Sequence, residues 1–398
     1  MGPLPALLLV IAPLQEVAAP RVRFEDGLQI RSADGEFELV LEGLFQVTAS
    51  ASEGAREPGS EFGLRRARPE LSGRLPGGLR FKFEPKFTEN DVELEEAWVG
   101  ADLFAGEARL MIGRMKAPFG LEEVRSRRWI DFPRFSILNQ FSPAEDHGVF
   151  LWGATGDARQ WEWNAALYNG TGGSDTNDGK DVAARLMWHP FAADEGSAWQ
   201  SLQVGVAATL GDQDEGVGGE SIEDAAGLGT LEFASGVRLD GARQRLGFEA
   251  AWFHGPNFVQ AEALTLQQEM SAGGGATDIG VSGFYVTLAR VLTGEAKSFK
   301  GVRPDVPFDF ERGAGRGAWV AALRVSQLDL DRDLAALTTP GTFTDRIRSV
   351  ELGLDWIPNR NAILRAALVR SDYGERITSG AGTSNGENAL LFELQLHF

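Results

Sequence analysis

The chain has 398 residues, 43% apolar and 24% charged, with 49 glycines, 17 prolines and no cysteine. Without cysteine there is no disulfide framework, thiolate nucleophile or cysteine-ligated zinc, and the four histidines (His147, His189, His254, His397) never fall at the spacing of a metal-binding pair. The formal charge of -19 argues against a nucleic-acid partner, and nothing in the composition implies a cofactor or a metal.

The N-terminal run from Pro3 to Ala12 is apolar but too short to span a bilayer as a helix. Small residues follow at Val17, Ala18 and Ala19, so residues 1–19 read as a signal peptide, although the charged n-region is missing and Pro20 would be an awkward first mature residue. No later apolar run reaches helix-spanning length, which excludes an α-helical membrane protein.

What recurs instead is a period of two. Phe37, Leu39, Leu41, Gly43, Phe45 and Val47 alternate with Glu36, Glu38, Val40, Glu42, Leu44 and Gln46. The same pattern sets Leu79, Phe81, Phe83 and Phe87 against Arg80, Lys82, Glu84 and Lys86, and Val182, Ala184, Leu186 and Trp188 against Asp181, Ala183, Arg185 and Met187. It returns around Leu246–Trp252 and Val350–Trp356, and the last segment places Leu390, Phe392, Leu394, Leu396 and Phe398 opposite Leu391, Glu393, Gln395 and His397. Short breaks such as Pro76-Gly77-Gly78 and Asp240-Gly241 alternate with long Gly/Asp/Ser-rich stretches near 170–180, 211–227, 293–316 and 376–387. Tight turns on one rim and long loops on the other describe an all-β protein, a transmembrane antiparallel β-barrel. Segment counting gives an odd number of candidates, so we expect sixteen strands, or eighteen if 22–31 is also a strand. Residues 20–398 then form one barrel domain. Trp98, Trp152, Trp163, Trp188, Trp252, Trp319 and Trp356 lie near expected strand ends, where interfacial girdles would sit. Acidic stretches such as Asp175-Asp178-Asp181 read as solvated loop surface.

Local charge reverses in the segment after Gly113. Arg114–Arg134 holds six basic residues against three acidic ones, a local excess of +3 in an acidic chain. Folded inward over 114–146 as a constriction loop, it would set Arg114, Lys116, Arg125, Arg127 and Arg128, with Ser126 as a neutral donor, on the path of a dehydrating anion. On the earlier segment, alternation places Arg66, Arg68 and Arg74 on the lumen face and Arg65 on the opposite one, near the outer rim; Arg80 and Lys82 extend the positive wall. The same side chains could instead pair with Glu84, Glu93, Glu95 and Glu122 and brace the wall.

Phe62–Arg68 with its Leu-Arg-Arg-Ala core, Val92–Trp98, Gly113–Glu123, Asn139–Pro143, Asp146–Val149 and the terminal Phe resemble the phosphate-selective porins O and P. The resemblance implies a sixteen-stranded homotrimeric barrel in the outer membrane of a Gram-negative-type bacterium. It further implies an arginine ladder, matched here by Arg65 and Arg66, and a central lysine-bearing site for anions such as phosphate or polyphosphate. Where that family would offer serines and lysines, this loop has Val124, Arg125, Ser126, Arg127 and Arg128. Expected partners are outer-membrane lipid and lipopolysaccharide, and the outer-membrane assembly machinery through the strand ending in Phe398. Two other readings stand beside it: a general or sugar-selective pore with Trp129 or Trp152 on a greasy track, and a soluble periplasmic or surface β-protein that binds glycans.

Overall fold

A computed structural model describes residues 19–54, 59–173, 177–379 and 382–398; the expected signal peptide, but for Ala19, lies outside the described residues. Sixteen antiparallel strands among them close into a barrel. In chain order these are β1 (Glu38–Glu53), β2 (Gly59–Leu75), β3 (Leu79–Phe87), β4 (Val92–Leu103), β5 (Ala108–Lys116), β6 (Glu145–Thr155), β7 (Trp161–Tyr168) and β8 (Asp181–Trp188). They continue with β9 (Gln203–Gly216), β10 (Arg238–His254), β11 (Asn257–Ala272), β12 (Gly275–Val291), β13 (Ala318–Leu330), β14 (Arg346–Asn359), β15 (Ala362–Ser379) and β16 (Gly382–His397).

The seam joins the last strand to the first, from Asn388 opposite Glu53 to His397 opposite Leu44. Phe398 and Gly43 then exchange two backbone hydrogen bonds of 3.1 Å each. A side chain at position 43 would meet the Phe398 ring 2.5 Å from its first carbon, so only glycine leaves the C-terminal ring its seat. The 22–31 segment is a hairpin, Arg21–Phe24 with Leu28–Arg31, whose second strand pairs with Glu38–Leu41 beyond the end of β16. It extends the sheet without entering the closed ring, and Phe24 stacks on Phe398 at 6.4 Å.

The expected alternation is visible in burial. Val182, Leu186 and Trp188 are exposed on the outer face while Asp181, Ala183, Arg185 and Met187 are buried inside. Strands β3 to β8 have 8 to 12 residues, close to the length needed to cross the hydrocarbon, whereas β9 to β16 have 13 to 18 and rise beyond it. Inside, the tall wall carries a large apolar cluster. Phe258, Ile279, Val281, Leu328 and Ile347 pack there against Phe119 and Leu138 of the segment 117–144, Ile222 and Leu231 of 217–237, and Leu334 of 331–345. Each such buried side chain contributes about 1.5–3 kcal/mol.

Three sequence expectations need correction. The stretch 293–316 leaves β12 on the rim that carries the chain ends, among the short turns, because the number of preceding strands and not composition decides the rim. Most of 376–387 is strand, as is 211–216. The stacked tryptophans are one-sided: the Trp161–Trp188, Trp199–Trp252 and Trp319–Trp356 pairs all lie at the rim of the chain ends, the exposed Phe62 and Phe87 lie at the other rim, and Trp98 and Trp152 share the inward parity of their strands.

Replacing Gly43 with leucine displaces Phe398 from the seam, an overpacking cost of about 1–3 kcal/mol. A denaturant midpoint of the refolded barrel equal to that of the unsubstituted protein would show that the ring does not need this gap.

Candidate functional site

Residues 117–144 cross the barrel interior and are tied to the far wall. The one-turn helix Leu121–Val124 opens on Gly120, whose φ of 77° suits glycine, and the Leu121 and Glu122 amides each donate to the Glu262 carboxylate of β11 at 2.7 Å. Three wall arginines, each holding an acid, also give one N–H to a loop carbonyl. Arg245 of β10 pairs with Asp181 at 3.4 Å and donates to Phe141 O at 2.9 Å. Arg324 of β13, wholly buried, is held by Glu351 at 2.6 Å and Glu122 at 2.9 Å and donates to Arg134 O at 2.9 Å. Arg365 of β15 pairs with Glu393 at 2.5 Å and donates to Arg128 O at 2.9 Å. From the rim of the chain ends, Lys297 meets Asp131, and Arg125 lies over the Phe299 ring at 4.4 Å. Asp181, expected in a solvated acidic stretch, is thus an interior anchor; Asp175 lies outside the described residues.

Two β-bulges shape the opposite wall. Gln46 pairs with Arg66 and Val47 with Leu64, so Arg65 is the extra residue of β2. Alternation had placed Arg65 on the face away from Arg66; the bulge turns both inward. Arg65 donates to Pro133 O and lies 3.9 Å from Glu393. On β4, Glu95 is likewise the extra residue between Glu84–Glu96 and Pro85–Leu94, and both Glu95 and Glu96 reach interior cations.

Most of the basic residues singled out by sequence have partners. Arg68 is held by Glu84 and, at 3.2 Å, by Glu95. Lys82 lies among Glu70, Glu84 and Glu96 at 3.3, 2.8 and 3.3 Å, and Arg80 binds Asp102 at 2.6 Å. Arg74 donates to Gly35 O, while Arg114, on the parity of the exposed Ile112, donates to Leu94 O at 2.6 Å. Lys116 donates to the carbonyls of Glu123 and Arg125, and Arg125 bonds Gln260 at 2.5 Å. Ser126 precedes the turn Arg127–Trp129 and makes no side-chain cap. Arg128 lies 3.7 Å from Glu42.

What remains is a cleft. Arg65, Arg66, Arg127 and Arg134 line it with Gln46, Ile130, Phe132, Pro133, Phe135 and a single carboxylate, Glu393. Arg127 keeps only distant acids, Glu95 and Glu123 at 3.7 Å each, and stacks over Phe135 at 4.4 Å; Arg134 reaches Glu223 at 2.5 Å. Arg66 is 7% exposed, and its buried Nε and Nη1 have no hydrogen-bond partner. A desolvated guanidinium without a partner is costly, and an anion would satisfy it. Above the cleft a cavity of about 360 Å³ reaches toward the rim away from the chain ends, with Arg65 and Arg134 shared between the two. Burial pushes the Glu123 carboxyl up, but Lys116, Arg127 and the Asn139 amide outweigh it and hold the group below the usual carboxylate range. Sequence reasoning counted Arg134 in the basic excess without assigning it to the pore; Arg245, Arg324 and Arg365 were missed, their only signal being arginine on an inward parity.

Comparison with known proteins agrees with this architecture. The family model described as "Phosphate-selective porin O and P" matches residues 45–398. Porin O of Pseudomonas aeruginosa is 24% identical over 399 aligned positions, covering 92% of this chain and 90% of that protein. The outer membrane channel DcaP of Acinetobacter baumannii superposes with a TM-score of 0.59 at 11% identity, covering 92% of this chain and 99% of that one. A trimer form of OmpT from Vibrio cholerae gives 0.54 at 10% identity, over 91% and 99% of the two chains.

Substituting Arg324 with methionine leaves Glu122 and Glu351 buried without their cation, and we expect a loss of about 3–5 kcal/mol. Removing the exposed Arg31–Glu38 pair should cost at most about 1 kcal/mol. Equilibrium unfolding in detergent compares the two; equal effects would mean that water reaches the Arg324 cluster.

Proposed function

Because the chain belongs to the phosphate-selective porin O and P family, and is therefore a multi-pass β-barrel channel of the outer membrane, we propose that it passes small anions by passive diffusion, phosphate and polyphosphate among them. The observation that carries this reading is the unpartnered Arg66 guanidinium among Arg65, Arg127 and Arg134. A pore needs fixed donors that replace part of an ion's hydration shell and then release it, and planar guanidinium forks match carboxylate and phosphate oxygens. Arg68, Arg74, Arg80, Lys82, Arg114, Lys116, Arg125 and Arg128 serve mainly to hold the wall and loop in place, with Ser126 at the turn that presents Arg127. The filter in this reading is short, four arginines at one level and not a ladder along the whole lumen. A homotrimer belongs to the same reading, since a similar barrel is described in a trimer form. Lipopolysaccharide would surround the tall wall, and the assembly machinery would read the strand that ends in Phe398.

The zero-current potential of the purified protein in a planar bilayer under a potassium chloride gradient tests the reading: chloride selectivity, with conductance reduced by millimolar phosphate, is expected, and cation selectivity with no block would end it. The pH dependence follows from Glu123. Its carboxyl titrates below the usual range, so it stays ionised and holds Lys116 and Arg127 until the pH falls through that lowered value. Further acidification frees both cations and should raise the anion-to-cation permeability ratio. Glu123→Gln should show the raised ratio already at pH 7 and respond less to acid.

A further inference from the structure

We infer that the cavity of about 360 Å³ above the cleft also receives phosphate esters that carry an ammonium group, with the phosphate at its floor and the ammonium at its wall. This rests on the anion-channel reading above and adds a solute class to it. The lining carries both signs. Arg65 and Arg134 form the floor, where the cavity meets the cleft, and Glu61 and Glu89 stand nearer the rim away from the chain ends. Glu61 precedes Arg65 by four positions on β2, and Glu89, just after β3, accepts the Leu64 amide at 2.7 Å. At about 3.3 Å per residue, the two carboxylates occupy levels roughly 3 to 13 Å above Arg65. The volume falls within the range of about 300–1,000 Å³ usual for small-molecule sites.

Each of these charges has unused capacity. Nη1 of Arg65 donates to Pro133 O and lies 3.9 Å from Glu393, while its Nε and Nη2 have no partner and are not sealed from the cavity. Arg134 is half-exposed and gives one nitrogen to Glu223 at 2.5 Å. Glu61 is exposed and makes no side-chain hydrogen bond or ion pair among the described residues, and Glu89 uses one oxygen only, on the Leu64 amide. The Ser50 hydroxyl and the Asn90 amide, equally unengaged among the described residues, supply neutral donors and acceptors in the same lining.

The other acids on the same wall set these two apart. Glu42, Glu70, Glu84, Glu95 and Glu96 each have an arginine or lysine partner, from Arg128, Lys82, Arg68 or both of the last two. Glu61 and Glu89 have none, so their charge is left to act on whatever enters the cavity. Inorganic phosphate uses the floor alone and goes on to the cleft. An ester with an ammonium uses both ends at once: its phosphate meets the guanidinium donors of Arg65 and Arg134, and its ammonium meets the carboxylates above them.

The test is block of single-channel conductance by 2-aminoethyl phosphate and by ethyl phosphate, titrated on the full-length protein in a planar bilayer. Potassium chloride at about 0.1 M keeps exposed charges from being screened away. The two esters share a body and differ in the ammonium. A site of guanidiniums alone favours ethyl phosphate, the more negative of the pair. We expect the opposite order, with 2-aminoethyl phosphate reaching half-block at a concentration about five-fold lower. In the double variant Glu61→Gln, Glu89→Gln, whose amide oxygen at position 89 still accepts from Leu64, the order should reverse while block by inorganic phosphate persists. Equal half-block by the two esters, or a preference for 2-aminoethyl phosphate that survives in the double variant, would overturn the inference and leave an anion channel. Phosphate block that deepens with magnesium chloride, without a preference between the esters, would overturn it in favour of a divalent cation at the carboxylates. Cation selectivity with no block by phosphate or either ester would end the anion reading beneath it.

Discussion

A guanidinium cut off from water must be met by a carboxylate, a carbonyl or a solute, and this requirement organises the interior of the barrel. Arg324 is met on every side, by Glu351, Glu122 and the carbonyl of Arg134. Arg365 and Arg245 repeat the arrangement on β15 and β10. Each places a fixed charge where it spends itself on holding the loop. Those pairings tie the loop to the wall, and Arg127 and Arg134 stand beside Arg65 and Arg66. The charge left over at Arg66 is meaningful only against neighbours whose charges are accounted for.

The lumen is divided by the same logic. The tall wall carries the larger apolar cluster, crossed by the buried ion pairs of Arg245, Arg324 and Arg365, and is covered by loops from both rims, while the wall from β1 to β7 carries a smaller aromatic cluster beside the ion pairs of Arg68 and Lys82. The loop backbone pays the cost of a non-lipid interior with hydrogen bonds to side chains, which a water-filled lumen permits and a lipid surface would not.

This division explains which parts of the structure were legible in the sequence. Where the inner face is polar, as in Val182–Trp188 or Leu390–Phe398, alternation gave strand, face and direction. In β12 both faces are apolar, Ile279 and Val281 inside and Phe284, Val286 and Leu288 outside, so the period fades although the strand is long. Bulges defeat the same rule: a shift of one residue at Arg65 or Glu95 leaves no mark in composition, yet each adds a charged side chain to the inner face. The basic excess of Arg114–Arg134 singles out the segment, but partners on other elements, such as Glu42, Glu95, Glu223 and Gln260, decide which of its cations remain unmatched.

The seam at Gly43 and Phe398 has a temporal meaning as well as a structural one. Before closure, the last strand offers a full row of backbone donors and acceptors along the edge that β1 will take, and its outward leucines and phenylalanines are available to any surface that can read them. After closure that row is matched by β1 up to the final residue, and the terminal ring lies between Gly43 and Phe24. The edge exists only in the unfinished molecule. Whatever pairs with it during insertion is competing with the chain's own first strand, and it is released by the event that completes the cylinder, so a finished barrel cannot be taken for a nascent one.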